Sequence, residues 1–291
     1  MKLLTTLSTL ILLLCCSGVK VPDFIERSMP EGRLLKYEYS ESGTMRGTTE
    51  EYRVELVDGH LNILSKTSYN HQVYVEIADT TLLDSIRRVL VEYKAQKLDK
   101  SYVNSHVLDG YMWGYSAKFE RQSKDDYDYT LSSGGSNKFP KTDMFNVIHR
   151  LIDKVAQENK PPMPEGRLVS FEYKSQDKET KEYSVNIKAE KKGKEVIVSQ
   201  YNPDDKTTDT AKAGEEVLDS ILHLLIRDDA QCFKKDYPAD WESMHMEEWQ
   251  LKAKFDSGHE IVSGGTEEWP AGDVFYKASA LIKSFFNDKD K

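Results

Sequence analysis

The spacing of apolar positions predicts strands followed by a helix, then two more strands and a closing helix. Between residues 34 and 77 apolar and polar side chains alternate, as in strands with one wet face, and an Asp-Gly pair at 58–59 is a hairpin turn signal. From Leu83 the spacing becomes helical, which predicts a helix over residues 80–96. The apolar spacing at 145–155 predicts the closing helix.

The same order of patterns returns in the second part of the chain. The hexapeptide Met-Pro-Glu-Gly-Arg-Leu stands at residues 29–34 and again at 163–168, a spacing of 134. Further blocks repeat in the same order, at offsets from 130 to 136: Glu-Tyr-Arg-Val at 51–54 with Glu-Tyr-Ser-Val at 182–185, Leu-Asp-Ser-Ile at 83–86 and 218–221, and Ser-Gly-Gly at 133–135 and 263–265. A repeat of this length is the size of a domain.

These patterns predict an α+β fold made of two tandem homologous units. Each unit is expected to be an antiparallel sheet with two helices, in the order β-β-β(-β)-α-β-β-α. The first unit covers residues 29–158 and the second 163–288, joined by a short proline-containing linker. Positions shared by both units are most simply fold determinants, and a single active site should appear as a difference between them.

The first residues predict an export signal. Residues 1–15 combine a basic start with an apolar run that is too short to span a bilayer, which is typical of a signal peptide. The run ends in Leu-Leu-Cys-Cys at 13–16, which resembles the lipobox of bacterial lipoproteins. Cys16 is the predicted lipidation site, with Cys15 as the other candidate, and residues 16–28 form the lipidated cysteine and tether. An ordinary cleaved signal peptide is the alternative.

The excess negative charge of the chain lies mostly in the second unit. The chain has a net charge of −9, and its basic residues form no stripe with interleaved aromatics, so a nucleic-acid role has little support. Residues 29–160 carry a net charge of −2 and residues 161–291 one of −8. The candidate binding residues are therefore acidic and aromatic side chains of the second unit: Trp241, Glu242, Glu247, Glu248 and Trp269. A solvated acidic face is the alternative.

No metal, cofactor or catalytic cysteine is expected. With Cys16 lipidated, Cys232 is the single remaining thiol, and the neighbouring Asp228 and Asp229 would raise its pKa, which favours a structural role. The seven histidines show no metal-ligand spacing and are expected to be solvated or capping. Trp113 and Trp249 are expected in the core.

The Ser-Gly-Gly repeats predict turns that need a positive φ. Their alternative role, cradling an anion, is not favoured because no Lys-Ser/Thr pair follows the glycines.

Leu-Leu-Cys-Cys at 13–16 and the stretches 249–255 and 263–270 carry a resemblance to uncharacterised exported lipoproteins of Bacteroidetes-type bacteria. The resemblance implies a location in the cell and a type of fold. The predicted function is a non-catalytic binding or scaffold module, anchored by acyl chains such as palmitate to the outer membrane or the periplasmic face of the envelope. Its partner would be an envelope protein or glycan, held across the seam between the units. The alternative is a secreted hydrolase with an active site in only one unit.

Overall fold

The computed structural model describes residues 28–43, 47–68, 71–103, 110–121, 130–237, 247–266, 270 and 272–286. Within these residues the chain forms two mostly antiparallel sheets and four α-helices, so the predicted α+β class is confirmed. Residues 1–27, which hold the predicted signal peptide and lipidation site, lie outside the described residues. Among the described residues, no helix has the length and apolar character needed to cross a bilayer.

The first sheet has seven strands, in the order β4-β3-β2-β1-β6-β7-β5. Neighbouring strands are antiparallel, except that β5 runs parallel to β7. The elements of this first half of the chain are β1 (Leu34–Gly43), β2 (Gly47–Val57), β3 (His60–Ser68), β4 (His71–Ile77), α1 (Thr81–Glu92), a 3-10 helix (Ala95–Lys97), β5 (Ser101–Val103), β6 (Met112–Phe119), β7 (Thr130–Ser136) and α2 (Met144–Glu158).

The second sheet has six strands, in the order β11-β10-β9-β8-β12-β13. It repeats the arrangement of the first sheet: four consecutive strands, a helix, and a strand that returns to pair with the first of the four. The elements of this second half are β8 (Leu168–Asp177), β9 (Tyr183–Lys192), β10 (Glu195–Asn202), β11 (Thr207–Ala213), α3 (Glu216–Arg227), a 3-10 helix (Ala230–Cys232), β12 (Glu247–Phe255), β13 (Glu260–Thr266) and α4 (Val274–Lys283).

Each sheet buries one face against its own two helices. In β1, Tyr37 and Tyr39 point towards the core, whereas Lys36 and Glu38 lie on the opposite face and form an ion pair. This alternation follows from the two-residue period of a strand. The predicted core positions Trp113 and Trp249 are both buried, at 4% and 3% exposure. Burial of each large apolar side chain contributes about 1.5–3 kcal/mol.

The Ser-Gly-Gly segments are strands, so the predicted turns are wrong. The first segment lies inside β7 and the second inside β13, and none of their glycines has a positive φ. A Cβ atom on Gly135 would lie 2.1 Å from the backbone oxygen of Tyr102, and one on Gly265 would lie 2.5 Å from that of Tyr237. Glycine is required because the backbone paired with the strand at this point, at Tyr102 in the first sheet and Tyr237 in the second, lies too close for a Cβ atom.

The strand register also corrects one of the sequence matches. Tyr39 pairs with Tyr52, and the corresponding Tyr173 pairs with Ile187. Tyr52 therefore corresponds to Ile187, and the Glu-Tyr-Ser-Val block at 182–185 lies four residues too early to match residues 51–54. The two tetrapeptides are similar in sequence, but the strand pairing does not place them at equivalent positions.

The two halves touch where β4, the outermost strand of the first sheet, meets residues 230–237. Cys232 belongs to the buried cluster of the first half. The Gln72 amide nitrogen donates a buried hydrogen bond of 3.1 Å to the Tyr237 hydroxyl. The Lys234 ammonium lies 5.3 Å from the centre of the Tyr74 ring. The seam is therefore filled by packed side chains at this contact.

Candidate functional site

The structure places two of the predicted binding residues, Glu247 and Glu248, at the start of β12. Trp241, Glu242 and Trp269 lie outside the described residues, as does Cys16.

Glu247 and Glu248 are bound to neighbouring strands of the second sheet. The Ser175 hydroxyl donates a hydrogen bond of 2.5 Å to Glu247, and Ser184 donates a second one. The Lys181 ammonium lies 2.9 Å from a Glu248 carboxylate oxygen, and this hydrogen bond is the main cause that lowers the pKa of Glu248. These contacts tie β12 to the β8–β9 hairpin, a structural role.

Cys232 is buried at 1% exposure, and its pKa is raised to about 12. Burial is the main cause, and the charge of Asp229 adds to it. A thiol with this pKa is almost entirely protonated at neutral pH and is a poor nucleophile. Cys232 packs in the buried cluster of the first half.

The corresponding end of the first sheet holds a different set of acids, which we call the carboxylate cluster: Glu41, Glu50 and Asp153. Glu41 on β1 and Glu50 on β2 are direct partners across the two strands. Asp153 projects from α2, and its charge acts on Glu50. Like charges placed directly opposite each other destabilise a sheet. This arrangement therefore costs the fold free energy.

Neutral hydroxyl groups donate hydrogen bonds to the cluster. The Tyr39 hydroxyl donates to Glu41 at 2.9 Å, and Tyr111 also bonds to Glu41. The Tyr52 hydroxyl bonds to Asp153. In the part of the chain that the structure describes, Asp153 forms no ion pair with a lysine or arginine. Hydroxyl donors stabilise a carboxylate but leave its negative charge in place.

The pKa of Glu50 reflects this excess of negative charge. Burial raises the pKa above its ordinary value, and the charges of Glu41 and Asp153 raise it further. Burial also raises the pKa values of Tyr39 and Tyr52 far above the ordinary tyrosine value. Both phenols are therefore neutral hydrogen-bond donors at any physiological pH, and the cluster is an environment that favours an added positive charge.

His149 lies beside the cluster, one helical turn before Asp153. Its ring stacks on Tyr52, with ring centres 3.8 Å apart, and meets the Tyr39 ring edge-on at 4.4 Å. The side chain is only 7% exposed, and its Nε2 atom has no hydrogen-bond partner. Burial lowers the pKa of His149 to about 3. The expectation of a solvated or capping histidine is wrong here, because His149 shares the buried face of α2 with Ile152.

An exposed pair of aromatic side chains, which we call the aromatic rim, borders the cluster: Tyr111 and Phe139. They are 42% and 43% exposed, and their ring centres lie 6.0 Å apart. Phe139 also stacks on buried Trp113 at 5.5 Å, so the rim is held in place from below. Since Tyr111 bonds to Glu41, the rim and the cluster form one continuous surface.

The described residues of the second half hold neither an acid nor an aromatic ring at the positions that match the carboxylate cluster, Tyr52 and His149. Phe145 and Phe275 contact the matching residues Tyr39 and Tyr173, at 5.2 and 5.0 Å between ring centres, which fixes the correspondence of α2 with α4. The counterparts of the first-half residues are Val185 for Glu50, Ile187 for Tyr52, Ser279 for His149 and Lys283 for Asp153. The residues that distinguish the halves therefore form a cluster of acids and a histidine in the first half, although the larger acidic excess of the second half predicted a site there.

The cluster offers carboxylate groups and, beside them, an imidazole whose Nε2 atom has no hydrogen-bond partner. The Ser65 hydroxyl donates to Asp153 at 2.5 Å, whereas the Nε2 atom of His149 contacts no nucleophile. Among the described residues, no group of three or more His, Cys, Asp or Glu side chains has the geometry to hold a metal ion. No protein-family model matches the chain, and no curated protein matches it.

Proposed function

We propose that this protein is a lipid-anchored envelope protein of a bacterium that binds a positively charged segment of a partner protein, without catalysis. The observation that carries this proposal is the carboxylate cluster. Glu50 faces Glu41 across the sheet, the pKa of Glu50 is raised, and the matching positions of the second half hold Val185 and Ser175. A feature that destabilises the fold and occurs in one half only is better explained by binding than by folding.

The aromatic rim indicates what kind of cation binds. Lysine and arginine have long apolar stems that pack on aromatic rings, and their charged groups pair with carboxylates. A cation above Tyr111 would also gain from its ring face. An envelope glycan could stack on the rim, but it would supply no positive charge to Glu50, whose pKa is raised by burial and by the nearby acids, so a basic protein segment is the favoured ligand.

The seam between the halves is not the proposed ligand site. Gln72 and Tyr237 form a buried hydrogen bond there, and Cys232 fills part of the first core. These side chains occupy the contact that a ligand would have to enter. The cluster end of the first sheet takes the place of the seam in this proposal.

The two halves are, in this proposal, tandem homologous units covering residues 29–158 and 163–288. Matching hydrogen bonds support it: the Ser133 hydroxyl donates to the Asp99 carbonyl at 2.5 Å, and the Ser263 hydroxyl to the Lys234 carbonyl at 2.6 Å. Such details follow from a shared ancestral unit more readily than from a shared fold class alone.

The anchor is tested by labelling cells with a radioactive fatty acid. The label should appear on the wild-type protein and on Cys15→Ser, and disappear from Cys16→Ser. Label on none of the three proteins, or equal label on both variants, would contradict lipidation at Cys16.

The binding site is tested with a panel of short peptides, either basic, acidic or neutral, titrated calorimetrically into the chain from residue 17 onward. A hydrogen bond to a charged group contributes about 1.5–3 kcal/mol, so Asp153→Asn should weaken binding of basic peptides by about tenfold or more. Glu248→Gln is the matched control and should leave binding unchanged. Equal weakening by both variants, or no preference for basic peptides, would reject the proposal.

The second candidate is a hydrolase whose site lies in the first half only. The observation in its favour is that His149 lies next to Tyr52 and Asp153 in one half and not in the other. Its weakness is that the neutral imidazole is stacked on a ring and contacts no nucleophile. Hydrolysis of ester or peptide substrates that disappears in both His149→Gln and Asp153→Asn would establish it in place of the binding function.

A further inference from the structure

The end of the first sheet that carries the aromatic rim also exposes two aliphatic side chains, which we call the apolar patch: Val103 and Met112. They are 60% and 59% exposed. Together with Tyr111 and Phe139 they make four of the nine large apolar side chains that are exposed among the described residues. Exposed apolar residues that are scattered singly need no explanation, but a group of them at one place indicates an interaction surface.

The strand pairing places both side chains of the apolar patch on the same face of the sheet. Met112 on β6 pairs with Ser136 on β7, and Ser136 pairs with Val103 on β5. Directly paired residues point to the same side of a sheet, and two strand spacings, about 10 Å, separate Met112 from Val103. Since the next residue, Trp113, points into the core, the apolar patch lies on the outer face.

The aromatic rim lies on the other side of the same strand ends. Tyr111 stands two residues before buried Trp113, so it points to the side on which the helices pack, and its hydroxyl bonds to Glu41 of the carboxylate cluster. Asn137 fixes its position: the Asn137 amide donates to the Tyr111 carbonyl at 2.9 Å, and the Asn137 side-chain oxygen accepts from the Tyr111 amide at 3.0 Å. The surface is therefore preformed, which lowers the cost of binding to it.

The second half shows that the fold does not need these exposed apolar side chains. The pairing of β6 with β1, and of β12 with β8, places Glu248 where the first half has Met112, and Glu247 where it has Tyr111. The two glutamates bond to side chains of neighbouring strands in their own sheet. The same two positions thus serve the sheet in one half and are exposed and apolar in the other.

Charge decides between the possible occupants of this surface. The carboxylate cluster borders the rim, and its members carry negative charge. Two copies of the chain that met through this surface would bring their clusters close together, and like charges disfavour such a contact. An anionic membrane surface is disfavoured for the same reason. Negative charge beside exposed apolar side chains complements a protein segment that carries both basic and apolar residues.

We propose that the apolar patch and the aromatic rim bind one partner segment, whose apolar side chains stand about three residues away from its basic ones. The proposal rests on the proposed function, because the carboxylate cluster holds the basic part. The rim and the patch lie on opposite faces of the strand ends, about 10 Å apart, and an extended chain advances about 3.3 Å per residue. The apolar part adds affinity and selects among basic segments.

Calorimetry with two peptides tests the apolar contact, using the chain from residue 17 onward. The first peptide carries two lysines followed three residues later by two leucines, and the second has serines in place of the leucines. The leucine peptide should bind at least about fivefold more tightly, because the patch removes its leucines from water. Equal affinity for both peptides would overturn this inference and leave the proposed function standing. No binding of either peptide would overturn both.

Variants of exposed residues show whether the patch causes the preference. Val103→Ser/Met112→Ser should bind both peptides as the wild type binds the serine peptide. The control Val57→Ser/Val91→Ser removes two valines that are 40% and 45% exposed elsewhere, and it should keep the preference for leucine. Asp153→Asn should weaken both peptides equally, because the cluster binds their lysines. Loss of the preference to the same extent in both double variants would reject the patch as its cause.

Sedimentation tests the other occupants. The chain from residue 17 onward should sediment as a monomer and should not co-sediment with phosphatidylcholine vesicles that contain phosphatidylglycerol. A dimer that dissociates in Val103→Ser/Met112→Ser would assign the patch to a second copy of the chain, and vesicle binding that disappears in this variant would assign it to a membrane. Either result overturns the proposal.

Discussion

The two sheets use the same end in opposite electrostatic ways. In the second half, Glu248 is paired with Lys181 and its pKa is lowered. In the first half, Glu50 faces Glu41 and its pKa is raised. The half with the larger acidic excess is thus the one in which the pKa of this glutamate is lowered and not raised. The number of charges in a segment says less about a binding surface than their placement does.

The largest expected effect at neutral pH tests what the halves share. Gly135→Ala and Gly265→Ala should each destabilise the protein by about 3 kcal/mol, because a Cβ there overlaps a neighbouring backbone oxygen and the strands must shift. Gly114→Ala is the control on the adjacent strand, where the nearest atom to a new Cβ lies 3.9 Å away, and it should be tolerated. Urea unfolding measures all three. A tolerated Gly265→Ala would break the parallel between the halves.

The next effect tests His149, which only the first half has. Its pKa is about 3 in the folded protein and 6.5 ordinarily, so the unfolded chain binds a proton that the folded one excludes between these values. Above pH 6.5 His149 is neutral in both states and does not oppose folding. As the pH drops from 6.5 towards 3, protonation of His149 in the unfolded chain lowers the free energy of unfolding, by up to about 1.4 kcal/mol per pH unit.

Urea unfolding from pH 7 to pH 4 measures this slope. The His149→Phe variant keeps an aromatic ring on Tyr52 and should lose that part of the slope, whereas His223→Phe, an exposed position on α3 of the second half, should keep it. Equal slopes in wild type and His149→Phe would contradict the burial of a neutral imidazole.

The smallest effect compares the two glutamates directly. Glu50→Gln removes a like-charge pair across the strands and should raise the free energy of unfolding at pH 7 by about 0.2–1 kcal/mol. Glu248→Gln removes a partly exposed ion pair and should lower it by about 0.5 kcal/mol or less. Chemical unfolding of both variants checks the opposite signs. A loss of stability in Glu50→Gln would mean that this carboxylate serves the fold and not a ligand.

The sequence pattern predicted the elements well because burial on one face imposes a period on strands and helices. It located the helix around Leu83, although α1 ends at Glu92 because Lys94 turns left-handed. The Ser-Gly-Gly repeats were misjudged because glycine serves both a positive φ and a close backbone approach, and composition does not separate the two.

The carboxylate cluster was missed because it depends on strand register. Glu41 and Glu50 are nine residues apart, and a register shift between Glu41 and Ser42 places them opposite each other. A regular hairpin that pairs Gly43 with Gly47 would have put Glu41 opposite residue 49, so the sequence pattern alone does not reveal the juxtaposition. Asp153 could not have been added to the cluster from the sequence either, because the packing of α2 on the sheet sets its position.

The position of Cys232 inside the first core has a consequence for the order of events during synthesis of the chain. A chain that has emerged only as far as the linker lacks the residues that cover β4, so it presents an uncovered outer strand and an incomplete core. Exposed strand edges of this kind recruit other chains. The first half would therefore be vulnerable to aggregation until residues 230–237 arrive, and the two halves must mature together even though each has a sheet of its own.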